Sequence, residues 1–257
     1  MHEPNLTDSA GQPWAGRTFS DNPHSDDTGE ADPQLAAALE AFRNGDAGQA
    51  DVVEAFRHAR LLIPLLAELG DEGFTDAGKR VDKSQELSIV TVGGPDGRSV
   101  LPVFSSVATM SAWNQQARPV PAAGTRVALA AAREHTDLVA LDPGSPTEFI
   151  VRRPAVWAIA QQEPWTPAAE SDPVKAEFAR TVAGERSVRS IVVISGDPTA
   201  RLTGPEVIVR LTLQPGLHAT QLRDLLARLT VQWSASELIA QRVDSLEVSL
   251  TAVPLIE

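Results

Sequence analysis

ELSIVTVGGPDGRSVLPVF, residues 86–104, decides how the rest of the chain is read. Two apolar runs flank Gly94-Pro95-Asp96-Gly97, where proline and glycine supply turn chemistry, so the stretch predicts a β-hairpin. Behind it the pattern predicts a helix near 107–116, a proline-rich joint at "ARPVP", a second helix near 124–134 and a strand in "DLVALDPG" ended by a turn. The same order of strand, strand, helix, helix, strand returns between 188 and 253. There "SVRSIVVISG" is apolar almost throughout and reads as a central strand, followed by "EVIVRLTL". The helices "HATQLRDLLARLTVQW" and "SASELIAQRV" lead to "SLEVSLTAV", with Leu246, Val248 and Leu250 on one face and Glu247, Ser249 and Thr251 on the other. That alternation suits a sheet with one wet face and helices on the other.

Upstream of the hairpin, "ADPQLAAALEAF" predicts a helix capped by Asp32, with Pro33 in its first turn and Leu35, Leu39 and Phe42 at helical spacing. "QADVVEAFRHAR" predicts a second, with Val52, Phe56 and Ala59 on one face. "LLIPLLAEL" reads as a short buried strand in which Pro64 marks an edge or bulge, and "DEGFTDAGKRVDKSQ" as a polar loop. "FIVRRPAVWAIAQ" reads as a strand leading into a short helix, and "QQEPWTPAAESDP" as a linker. Asp172 and Pro173 repeat the cap-then-proline start before "VKAEFARTVAG". The expected fold class is α/β of the α+β type: two small domains, each a mixed sheet with helices packed on it, preceded by a disordered acidic tail. The boundaries are 1–32 for the tail, 33–162 for the first domain and 172–257 for the second.

Charge is concentrated at the start. The 257 residues carry a net charge of −12, and residues 1–34 contain seven acids against one base, Arg17. Four prolines and few aliphatic side chains in that segment leave too little apolar surface to offset the entropy of ordering it. The acidic balance argues against nucleic acid or an anionic membrane as a main partner, since both require clustered positive charge. There is no cysteine, which removes disulfides, thiolate catalysis and thiolate metal sites. No secretory leader and no apolar run of spanning length is visible, so a cytoplasmic location is expected.

The candidate sites are few. Ser105 and Ser106 stand where a strand gives way to a helix, a place for a nucleophile or for a cap. A nucleophile elbow needs glycines two residues to either side. Here those positions hold Val103 and Val107, or Phe104 and Ala108, so capping is the expected role. "VGGPDG" and "DPGSP" match no phosphate-binding pattern and read as turns. Glu54 and His58 form a solvated helix pair, and His135 with Asp137 sits at an ordinary joint. Arg152 and Arg153 are too few for a nucleic-acid patch. Trp113, Trp157 and Trp233 fall in apolar helical patterns and read as core. Ser195-Gly196-Asp197 ends a strand and reads as a turn. No catalytic residue, metal ligand or cofactor is expected. Within the tail, "PWAGRTF" brings together Trp14, Arg17 and Phe19, residue types that dominate binding surfaces, and forms a candidate interaction motif. It would dock on a partner or fold back on its own domains.

"LAAALEAFRNGDAGQADVVEAFRHARLLIPLL", "LPVFSSVATMSAWNQQARPVP", "DLVALDPG" and "FIVRRPAVWAIA" together resemble the SseB family, in its two-domain actinobacterial form. The resemblance covers residues 33–160 well and the C-terminal half more loosely. It implies an α/β fold with an SseB-type N-terminal domain and a distinct C-terminal domain. The family is named for altered serine sensitivity, its biochemical activity is not established, and it supplies no catalytic residues. A label referring to type III secretion is not carried over, because the long amphipathic helices of a translocon component are missing. The expected function is a non-catalytic cytoplasmic accessory protein whose partner is another protein. The alternative is a serine hydrolase-like enzyme using Ser105, Ser106 or Ser195 with a distant histidine.

Overall fold

The computed structural model describes residues 27–67, 73–74, 80–81 and 87–252. Helix α1 (Pro33–Asn44) starts as its sequence dictates: the Asp32 carboxylate accepts the Gln34 and Leu35 amides at 2.9 and 3.2 Å. It ends at Gly45, whose φ of +80° frees the cap amide to meet the Ala41 and Phe42 carbonyls. Helix α2 (Gln49–His58) buries Val52, Val53 and Phe56 beside Leu35 and Leu39 of α1.

Strand β1 (Arg60–Ala67) follows, then the two-residue strands β2 (Gly73–Phe74) and β3 (Arg80–Val81), which pair within the stretch read as a loop. The run before the turn divides into β4 (Leu87–Ile89), which pairs with β1, and β5 (Val92–Gly93), which forms the expected hairpin with β6 (Ser99–Val103). Gly97 adopts φ +81° in that turn. Helix α3 (Val107–Trp113) is shorter than expected. "ARPVP" is not a joint but part of β7 (Arg118–Ala123), antiparallel to β1. The Gly124 amide donates to Ala59 O, so even-numbered donors face β1, while Pro119 and Pro121 turn their missing donors to the open edge.

Pro64 is likewise placed by what it lacks. β1 is the middle strand of the order β4-β1-β7, not an edge. Leu62 exchanges both backbone bonds with Phe104, and pairing with β4 begins only at Leu65. Pro64, facing the same way as Leu62, points its absent N–H into the gap between the two.

Helix α4 (Gly124–Arg133), strands β8 (Leu138–Leu141) and β9 (Phe149–Val151), and helix α5 (Arg153–Gln161) complete the first half. Its second sheet has the order β5-β6-β8-β9, with β6 and β8 parallel. A core of Leu35, Phe56, Leu101, Val127, Phe149 and Ile159 lies between the helices and the sheets.

Helix α6 (Asp172–Val182) takes Ser171 as its N-cap, one residue before the expected Asp172, with Pro173 in the first turn. Strands β10 (Val188–Ser195) and β11 (Val207–Leu213), helices α7 (Ala219–Ser234) and α8 (Glu237–Arg242) and strand β12 (Leu246–Ala252) form the rest. In the order β10-β11-β12 the central strand is β11, and β10 is an edge. Its apolar run misled because Val192 stands 49% exposed on the open face. β10 and β11 are antiparallel, β11 and β12 parallel, which is the topology of β5-β6-β8. The shared sequence order is thus a shared hairpin-plus-crossover design. Phe178, Leu225, Leu229 and Trp233 fill the second core. Trp233 meets the expectation of a core residue, whereas Trp157 does not: it is 40% exposed beneath the Arg153 guanidinium, 4.8 Å from its ring centre. No described helix is long and apolar enough to cross a membrane.

Candidate functional site

The two serines are separated by function although adjacent in sequence. Because β6 and β8 run parallel in register, Val103 beside Leu141, the residues leaving their carboxyl ends emerge side by side. Asp142 adopts φ +48° there and accepts the Ser105 amide at 2.8 Å, the Ser105 hydroxyl at 2.7 Å and the Thr147 hydroxyl at 2.9 Å. Ser106 is the cap: its Oγ accepts the Thr109 amide at 3.1 Å, and the Thr109 hydroxyl oxygen accepts the Ser106 amide in return. So capping holds for Ser106, while Ser105 anchors an aspartate, a role its sequence gave no sign of. Ser195 ends edge strand β10, exposed, and among the described residues no hydrogen bond joins it to the other two. Of the described histidines, His58 meets Glu54 at 3.1 Å, and none hydrogen-bonds a serine.

Segment 27–32, expected to be part of the disordered tail, is held against this corner. The Arg60 guanidinium grips the Asp27 carboxylate at 2.6 Å and the Ser105 carbonyl at 3.2 Å, and the Val107 amide donates to Gly29 O. A Cβ on Gly29 would meet Val107 Cγ2 at 2.8 Å, so the close approach requires glycine. Trp14, Arg17 and Phe19 lie outside the described residues.

The densest chemistry joins the two halves. Arg152, following β9 and only 6% exposed, donates to Asp197 Oδ2 at 2.7 Å, Gly204 O at 2.7 Å and Asp244 Oδ2 at 3.1 Å. Arg98, at the foot of β6, grips the same Asp244 bidentately at 2.8 and 3.0 Å. Two guanidiniums of the first half thus hold two buried carboxylates of the second. Burial opposes ionisation of Asp244, but the Arg98 and Arg152 guanidiniums outweigh it and hold the carboxyl below its ordinary value. At Asp197, burial is again outweighed, by Arg152 and by the Arg201 and Leu202 amides. Glu206 is the exception in this group. Burial, with Asp244 nearby, pushes it up to about 7, and its Oε1 has no partner among the described residues while Oε2 accepts the Asp244 amide.

Asp197 also shapes a plug. Its carboxylate accepts the Leu202 amide at 2.8 Å and the Thr203 hydroxyl at 3.0 Å, which holds Ala200 and Leu202 at φ +51° and +57°. In that strained form Ala200 O accepts the Ile150 amide at 2.7 Å, and Leu202 buries against Val100, Leu138, Ala140 and Ile150. A loop of the second half therefore completes the sheet and core of the first. Arg153 adds a further tie, donating to the Ala240 and Val243 carbonyls at the end of α8. The Arg152-Arg153 pair, too small for a nucleic-acid patch, is a clamp within the molecule.

Residues 35–158 match the family model described as the SseB protein N-terminal domain. No curated protein and no solved structure matches the chain. The matched stretch contains Arg98 and Arg152 and ends before the Asp197 and Asp244 they hold.

Proposed function

We propose that the whole chain is an SseB-family protein, and that it works as a non-catalytic cytoplasmic accessory protein through contacts with another protein. The match over residues 35–158 supports the family for the first half, and the second half is included in the proposal because the clamp ties it to that matched stretch as one molecule, not because it matches the family. The observation that carries the non-catalytic reading is the state of the serines. The Ser105 hydroxyl donates to Asp142 and the Ser106 hydroxyl accepts a helix amide, so both are engaged in holding the fold. A carboxylate that accepts a hydrogen bond from a serine hydroxyl orients it, but with no imidazole between them the base that activates a hydrolase serine is not supplied there.

Treatment of the full chain with a fluorophosphonate probe, followed by peptide mapping, tests this reading. The expected result is no labelled serine. Covalent labelling at Ser105, Ser106 or Ser195, abolished by alanine at that position, would overturn it in favour of a serine hydrolase.

A further inference from the structure

Strand β12 presents an edge that asks for a strand. The Val207 amide donates to Ser245 O, so the backbone groups of Glu247, Ser249 and Thr251 face β11, and those of Leu246, Val248 and Leu250 face outward. Among the described residues no strand pairs with that outer row. Natural edges are blunted by charged side chains, lysine above all, by proline or by a bulge; "LEVSLTA" has a single charge, Glu247, and neither proline nor bulge. Beside the edge lies an apolar groove of about 370 Å³, lined by Trp233 of α7, Ile239 and Val243 near α8, and Leu246 and Val248 of β12. An edge strand with an apolar groove next to a helix is the geometry that receives an added strand: backbone bonds hold it and the groove takes alternate side chains.

We infer that the N-terminal segment Trp14–Phe19 of this same chain adds to the outer edge of β12, with the Trp14 side chain in the groove. Three observations select this occupant. The tether is long enough: Asp27 is fixed to Arg60 near Ser105, and Phe19, the near end of the docked segment, lies eight residues before it, a reach of about 26 Å. The run from Ser105 back to Arg98, which grips Asp244 at the start of β12, covers only about 23 Å. The alternation fits. A strand with Trp14 facing the groove turns Arg17 to the opposite face, where Glu247 stands exposed on β12. The charge fits as well, since Arg17 is the one base among the first 34 residues.

Amide hydrogen exchange on the full chain reads the pairing residue by residue. In the intact protein the Leu246, Val248 and Leu250 amides are expected to be protected. Removing residues 1–26 is expected to speed their exchange at least about tenfold. The Glu247, Ser249 and Thr251 amides, bonded to β11, keep their protection and show that the sheet is still folded. The double variant Trp14→Ala, Phe19→Ala in the full-length chain gives the same alternating loss, and a peptide of residues 10–22 added to the truncated protein restores protection. Free exchange of the outer three amides in the intact chain overturns the inference. So does protection that survives the truncation, whether it depends on protein concentration, as a second copy on the edge would, or not.

Discussion

Ser105 and Ser106 carry hydroxyls of the same chemistry into two different energies. Ser106→Ala removes one helix cap and is expected to cost about 1 kcal/mol. Ser105→Ala leaves a buried aspartate short of a donor, with only Thr147 remaining on that oxygen, and is expected to cost more, about 1–3 kcal/mol. Urea unfolding of the two single variants checks the order; equal losses would mean that Asp142 recruits a replacement donor. Glu206 makes a pH prediction. Its folded value, about 7, lies above its ordinary 4.5, so the folded state holds a proton there that the unfolded chain has released. The stability tied to this group is fully present below about pH 4.5 and is lost as pH rises through about 7, at a cost of about 3 kcal/mol when complete. Asp197 and Asp244 run the other way: their contribution is present above the ordinary 3.8 and is lost as pH falls through their lowered values. Melting temperatures across pH 5 to 8 are therefore expected to fall for the native chain and to flatten for Glu206→Gln, which keeps an acceptor for the Asp244 amide.

At the scale of elements, α4 begins where the chain passes closest to itself. A Cβ on Gly124 would stand 2.0 Å from Phe56 O, with backbone on every near side, so no rotamer can relieve it. Gly124→Ala is expected to cost about 3 kcal/mol, the upper range of over-packing, and a chemical denaturation midpoint within error of the native one would contradict that. What made an element legible was whether its determinants were local. The Gly94–Gly97 turn and the Asp32 cap lie within a few residues of what they specify, and both are found as read; the strand expected in "SLEVSLTAV" is there as β12, but its apolar face is not fully covered, since Leu250 is 40% exposed. β7 is not legible locally, because proline argues against a strand unless its missing donors face an open edge, and only pairing with β1 decides that. β10 reads as central from its apolar run, yet a run of side chains does not say whether strands pair on both sides of the backbone, and among the described residues only β11 pairs with it.

At the scale of the molecule, the clamp was invisible for the same reason on a longer range. Arg98, Arg152, Asp197 and Asp244 are scattered along the chain, follow no motif spacing, and meet only once both sheets are built. The signal available was the Arg152-Arg153 doublet in an otherwise acidic chain, an odd place for positive charge next to an apolar strand. The structure also bears on how the halves come apart. Between α5 and α6, Trp165 packs on the first core and Ala168 on the second, so the connection expected to be a linker is pinned from both sides. We propose that 33–162 and 172–257 are nonetheless separate folding units, held together by the clamp and the Leu202 plug. Arg152→Ala leaves Asp197 without its guanidinium and Asp244 with the Arg98 guanidinium and the Ser245 hydroxyl, and losing a buried partner typically costs about 3–5 kcal/mol. That energy comes out of the joint, the Leu202 plug that Asp197 holds included. Limited proteolysis of the native chain is then expected to be slow at 161–172, and of Arg152→Ala to be fast there, leaving two fragments that each keep a cooperative thermal transition. If Arg152→Ala is instead degraded throughout, with no fragment that melts cooperatively, the two halves are one folding unit and the boundary is wrong.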